Sequence, residues 1–424
     1  MAPPNFRDHL RAPDDPRIAG IAALDARGWA RRMLDHPRAG PLFARWRALY
    51  AGTEFTGITS DGTTREGLYP LRDEGAPVLA MVQAAQALLA ACSDAQRALL
   101  CHDLRAREWR AWMNPEVYMH PFGLRLEECG EPLRERILAV LRASLSDSGY
   151  ARARDLMRIN HFLGELVGGS GVMNEWSYNF NLFGTPSPDA PWGWNFYGHH
   201  LCLNCLVLGG QMVLTPVFMG AEPNVIDTGP HAGTRAFIEE EALGLALMRS
   251  LDEPLRRQAR LYQRVVDPAM PAGRVALGDE RMLAGAFQDN RVLPPEGARA
   301  AAMGETSRAL LLRLLRCYLA FLPGTVLDAR MADLRAHLDD TWLCWIGGLG
   351  DDDPFYYRIQ SPVIVMEFDH HAGVFLANAE PARFHVHTLV RTPNGNDYGM
   401  ALVRQHCECV ARAARALAGK EEDD

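Results

Sequence analysis

Apolar and polar positions change period along this chain, and the changes mark off helical from extended regions. Residues 22–50 carry Trp29, Met33, Phe43 and Trp46 as anchors of a helical segment. Residues 55–58 and Asp61-Gly62 read as a short strand and turn. Over 76–169 the pattern is mainly helical. Leu133, Ile137, Leu141 and Leu145 recur every four residues, along one helix face. Ser93-Asp94-Ala95-Gln96 has the form of a capping box. The run Gly168-Gly169-Ser170-Gly171 ends this region.

Extended patterns follow. Residues 179–184 read as a strand closed by Thr185-Pro186-Ser187-Pro188. Residues 192–207 and 212–219 read as two more, with Gly209-Gly210 as a hairpin turn. Helical signals return over 233–338, with loops near 268–271 and 292–295. A second extended block covers 356–391, in pieces 361–369, 373–376 and 384–391. A helix over about 400–418 closes the pattern. Strands cluster instead of alternating with helices, so the expected class is α+β. The expected architecture is a mainly antiparallel sheet formed by two β-rich blocks and surrounded by helices. The expected organisation is an N-terminal extension, 1–75, packing on one domain, 76–418, with an acidic tail, 419–424.

Side chains alternate along a strand, so His385, His387, Leu389 and Arg391 share one face. Two imidazoles side by side make half a metal site. Arg391 offers a fixed cation for an anionic substrate. In Gly198-His199-His200-Leu201, a continuous strand turns the two histidines to opposite sides. His200 then shares the polar side with Cys202 and Asn204, whereas a bulge at Gly198 presents both rings. The plainer reading of His199 is a hydrogen-bonded core residue. Glu367 and Asp369 share the face of Val363 and Val365. A buried carboxylate there needs a cation or strong donors. It can ligate a metal, orient a histidine or serve as a base. His370-His371 reads as a solvated turn before Gly373.

The expected centre is therefore His200, His385 and His387, with His199 or a carboxylate, around one divalent ion. Neutral imidazoles suit Zn²⁺ first, and also Fe, Cu or Mn. Metal-bound water can attack a carbonyl, and an open position can bind O₂. Around it, Trp194 and Tyr197 from the aromatic run 191–197, with Asn204, are candidate substrate contacts. Asn396 and Tyr398 come from the polar turn after Arg391. Glu175 follows the glycine-rich loop and, with Glu367, is a candidate for proton transfer. The plainer readings are a buried strand, a surface acid, and turn chemistry in which Arg391 pairs with Asp397.

Composition narrows the partners. At 424 residues, 48% hydrophobic and 23% charged, the chain has the make-up of a soluble globular protein. A formal charge of −8 and the lack of any basic run give no support for a nucleic-acid partner. The longest apolar stretch, 201–220, is broken by Asn204, Gly209, Gly210, Gln211 and Pro216, so no membrane partner is expected. The first residues lack a signal-peptide core, and a cytoplasmic location is expected. Nine cysteines, with the lone pair Cys202 and Cys205 at CxxC spacing, read as reduced thiols. No GxGxxG before a helix, Walker loop, HExxH or GxSxG is present. Nothing in the sequence signals the oligomeric state.

Several stretches together resemble the DUF3500 family, a domain of unknown function. They are Pro191-Trp192-Gly193-Trp194 with Gly198-His199-His200-Leu201, and Thr215-Pro216 with Gly220-Ala221-Glu222-Pro223. To these add Glu367-Phe368-Asp369 with His385-Val386-His387-Thr388, and the segment 391–399. Leu145-Ser146 and Gly149-Tyr150 also fit, and the resemblance spans roughly 109–406. It implies that His199, His200, His385 and His387 belong to a family pattern, and it brings in Glu222. It implies no activity. The expected function is a metal-dependent enzyme acting on a small molecule, with hydrolysis first. An iron- or copper-dependent oxygenase or oxidase and a non-catalytic binding protein are the alternatives.

Overall fold

Alternating side chains in the extended segments build one twelve-stranded sheet in the computed structural model, which describes residues 5–52 and 54–421. The strands are β1 (Cys101–His102), β2 (Leu124–Arg125), β3 (Tyr178–Phe183), β4 (Trp192–Gly198), β5 (Leu201–Leu208) and β6 (Gln211–Ala221). They continue with β7 (Arg260–Tyr262), β8 (Ala298–Arg299), β9 (Trp342–Gly347), β10 (Phe355–Gln360), β11 (Val365–His370) and β12 (Val386–Arg391). The order is β1-β3-β4-β5-β6-β12-β11-β10-β9-β7, with β2 on β3 and β8 on β9. Among these twelve strands β1/β3 and β7/β9 pair in parallel, and the other pairs are antiparallel. The class is α+β with a mostly antiparallel, mixed sheet.

Five strands arise outside the two extended blocks of the sequence reading. Strands β1, β2, β7 and β8 have two or three residues, too few to show a period. Strand β9 is apolar on both faces, and such a strand shows no alternation. The expected strand over 192–207 is two strands, because the chain turns at His199-His200. The expected strand at 373–376 is an irregular loop. Its amides at Val374, Phe375 and Leu376 donate to the Glu222 carboxylate instead of to a neighbouring strand.

Register sends alternate residues to two different surroundings. Phe180, Trp194, Leu203 and Phe368 point to a large core that includes Met81, Ile137, Leu156 and Leu311 from the helices Val78–Ala91, Glu131–Ser144, Asp147–Leu166 and Glu305–Tyr318. The opposite face carries Tyr197, Cys202, Phe218 and Leu389. It meets Ile18, Trp29, Trp46, Trp109 and Met282. The N-terminal stretch is tied down by both: Phe6 packs edge-on to Phe162, and Trp29 Nε1 donates to Glu116.

The step from β6 to β12 matters most for chemistry. Residues far apart in sequence pair there, His387 with Gly220 and Leu389 with Phe218. The last helix, Met400–Glu421, runs through 419–421 of the expected acidic tail, and 422–424 lie outside the described residues. Among the described residues no helix is long and apolar enough to cross a membrane.

Candidate metal centre

Two neighbouring histidines can reach one point only if the backbone between them reverses. Gly198 and Leu201 form the last pair of the β4–β5 hairpin, so His199 and His200 are its two turn residues. His200 takes the left-handed region at φ 61°. The imidazoles stack with centroids 3.8 Å apart and planes 25° from parallel. A side chain at Gly198 would collide with Ser177 O at 2.6 Å, so glycine lets the hairpin end close to β3.

Three imidazole nitrogens converge. His385 Nε2 lies 3.0 Å from His387 Nε2, which lies 3.1 Å from His200 Nε2. All three residues are buried. His385 Nδ1 sits 2.8 Å from Ala372 O, and a carbonyl only accepts. The Nδ1 nitrogen therefore carries the hydrogen, and in the neutral ring Nε2 presents its lone pair. One proton on His387 Nε2 cannot serve two neighbouring nitrogens well. One cation between the three serves all of them. Zinc–nitrogen bonds of ~2.0–2.1 Å in tetrahedral geometry span edges of about 3.3 Å, close to the separations found.

Burial sets the protonation. It pushes His200 and His387 well below the usual imidazole value, and the neighbouring histidines push the same way. His199 is lowered to about 3, first by burial and then by His385. Neutral rings are the form that ligates metal. Gly220 makes room for them: a Cβ there would lie 2.9 Å from Cδ2 of both His200 and His387.

His199 stands beside the trio. Its Nδ1 bonds Asn160 Oδ1 at 2.8 Å, and its other face approaches Phe375. His199 and Tyr197 also border a small cleft with room for about one water, next to Glu116, His120 and Asn179.

The other expected site residues are held elsewhere. Arg391 lies four residues along β12, about 13 Å away at strand rise. Its guanidinium is taken by Asp289, Asp397 and the carbonyl of Ala284. Glu367 accepts from Leu283 N, Ala284 N and Tyr356 Oη, at 2.8, 2.8 and 2.6 Å. These are the strong donors a buried carboxylate requires. Glu175 pairs with Arg154. Trp194 Nε1 donates to Ser144 Oγ on the helix-covered face. Asn204 Nδ2 donates to Pro216 O at the β5–β6 irregularity. Tyr197 Oη reaches His120 O at 3.3 Å. Tyr398 Oη bonds Asp289 and Trp112. Asn396 is buried in the same turn, with its Oδ1 unpartnered among the described residues. Glu222 lies 3.8 Å from His385 Nδ1 and holds the 374–376 loop beside the trio.

The reading of His370-His371 as a solvated turn is overturned. Both are buried. His370 Nδ1 accepts from Phe355 N, and its Nε2 lies 3.0 Å from Glu241. His371 continues the ladder through a 2.9 Å bond from its amide to His385 O. Its ring lies 3.8 Å from that of His387. The signal was the period-two series Glu367, Asp369, His371, which extends one face of β11 past its end. Asp369 pairs directly with His387.

The sequence profile described as "Protein of unknown function (DUF3500)" matches residues 74–400. No curated protein and no solved structure matches the chain. The chain belongs to the DUF3500 family.

Proposed function

We propose that this DUF3500 member is a metal-dependent hydrolase of a small molecule, with His200, His385 and His387 as protein ligands to one divalent ion. The observation that carries the reading is the convergence of three imidazoles whose ligand atoms lie within 4.8 Å of one another, with His387 Nε2 at 3.0 and 3.1 Å from the other two. Bound there, the ion would acidify a water and polarise a carbonyl. The chain's own part is positional. Ala372 O fixes the tautomer of His385, Gly220 leaves room for two rings, and Asn160 orients His199 at the border of the cleft. Arg391, Glu367 and Glu175 take no part, because their polar groups are already engaged.

Nine unpaired cysteines, six of them buried, fit a reducing compartment such as the cytoplasm. Zinc is the ion we favour. Iron or copper would move the proposal to oxygen chemistry, so the identity of the native metal decides between them.

Elemental analysis of protein purified without chelator tests the reading. The expected result is one or more equivalents of a transition metal, with the histidine-bound equivalent lost in His387→Ala at unchanged far-ultraviolet circular dichroism. Less than about a tenth of an equivalent in the native chain, with no tight rebinding after chelation, would remove the proposal.

A further inference from the structure

We infer that Glu280, Asp369 and His371 form a second cation site beside the three-histidine centre, so that the pair makes a two-metal centre. The inference rests on the three-histidine reading but uses different residues. Strand register places them. Asp369 stands opposite His387 in the β11–β12 pair, and His371 follows two residues on along the same face. The His371 ring lies 3.8 Å from the His387 ring and 5.2 Å from that of His385. Ions bound by touching rings are neighbours.

The ligand atoms of Glu280, Asp369 and His371 all lie within 4.8 Å of one another. His371 is 2% exposed. Among the described residues its Nε2 has no hydrogen-bond partner. That nitrogen faces Asp369 Oδ2 across 3.5 Å. A buried imidazole nitrogen left facing a carboxylate oxygen at this distance is costly unless a proton or a cation lies between them.

Charge points the same way. Arg281 binds Asp369 Oδ1 at 2.7 Å and also pairs with Glu280. One guanidinium is thus shared by two carboxylates, of which Asp369 is fully buried and Glu280 partly so. Asp369 Oδ2 and Glu280 Oε1 each accept one backbone amide, from Arg281 and Ala372, and each keeps a second lone pair. One nitrogen and two carboxylate oxygens suit Mn²⁺, Fe²⁺ or Zn²⁺, and are harder than the all-nitrogen set next to them. Two adjacent ions can hold the attacking and leaving oxygens of one hydrolytic step, which a single ion does less well.

The test is metal stoichiometry on the full chain, stripped with chelator and titrated with Mn²⁺ under equilibrium dialysis. The expected result is two equivalents in the native chain and one in His371→Ala. The electron paramagnetic resonance spectrum should show spin-coupled Mn²⁺ in the native chain and an isolated Mn²⁺ signal in the variant. His371→Gln provides a second variant if the alanine form folds poorly, and the native count needs no variant. One equivalent in the native chain, retained by His371→Ala, overturns the second site and leaves the histidine centre standing. Two equivalents in a folded His371→Ala or His371→Gln overturn the assignment to these residues. No binding of Mn²⁺ or of Zn²⁺ to the native chain overturns both this inference and the reading it rests on.

Discussion

On one face of the sheet, Phe180, Trp194, Leu203, Met366 and Phe368 press against helices. On the other, Asn179, Asn181, Asn195, Glu367, Asp369, His387 and Arg391 are just as deeply buried, among the short N-terminal helices Ala26–Leu34 and Gly40–Gly52 and the irregular 279–291 region. The first face is held by apolar area removed from water. The second is held by polar groups that must each find a partner. Helices satisfy most of their own backbone, so they have few free amides and carbonyls to offer a sheet. Loops carry free amides and carbonyls, so they can satisfy buried carboxylates and guanidinia. Glu367 bonds the amides of Leu283 and Ala284, and Arg391 the carbonyl of Ala284. The lesson is that the loop-covered face can afford a metal centre, since its surroundings can fix ligand orientation by hydrogen bonds.

The largest expected effect contrasts the two faces directly. Arg391→Ala strands the buried charge of Asp397 and leaves Asp289 with Arg110 as its remaining cation, and such losses run to ~3–5 kcal/mol. Leu203→Ala on the opposite face leaves a cavity and costs about 2–5 kcal/mol. Urea unfolding measures both. Both variants should keep their metal at permissive urea concentrations, because neither touches the trio. A cost below about 1 kcal/mol for Arg391→Ala would place the network with surface ion pairs and end the contrast.

Acid should separate the faces next. His199 is lowered from 6.5 to about 3 by burial. In acid the unfolded chain takes up this proton and the folded chain does not. Stability from the neutral ring is thus present above pH 6.5 and lost as pH falls toward 3. Other groups titrate too, among them Asp279, pushed up to about 7 by burial, and this loses stability in the opposite direction as pH rises. The difference between metal-free native chain and His199→Gln cancels those contributions. That difference should be flat above pH 7 and fall by roughly 1.4 kcal/mol per pH unit below 6.5. Leu203→Ala should shift stability by the same amount at every pH. A flat His199→Gln difference down to pH 4 would mean that the ring is already protonated or exposed.

The finest probe is steric. Gly220→Ala places a methyl group against both His200 and His387. We expect metal affinity to fall about 10–100-fold, the range seen when ligand orientation is disturbed. Stability should change far less than in Arg391→Ala. Calorimetric titration with Zn²⁺ checks it. Unchanged affinity would show that the two rings do not need the space above Gly220.

Much of this was legible along the chain, and the limits have physical causes. Local pattern determined the α+β class, the hairpin at Gly209-Gly210, the capping box at Ser93, and the placing of His385 and His387 on one face. It also singled out His200, because glycine and histidines between two apolar runs stand out. Pattern could not show that the chain reverses at His199-His200, since the apolar alternation continues on both sides of the turn. Nor could it tell that His371 is buried. A strand's end is set by what packs on it, here the 382–385 segment bonded to His371. Arg391, Glu367 and Asp397 look alike as site residues or as core ion pairs. Their partners lie far along the chain, among residues 283–289 for Arg391 and Glu367, and leave no mark in the local pattern. The β6–β12 pairing is the deepest case. Hydrogen bonds between strands do not depend on side-chain identity, so two compatible edges more than 160 residues apart leave no local trace. That pairing alone brings His200 and His387 within reach of one ion.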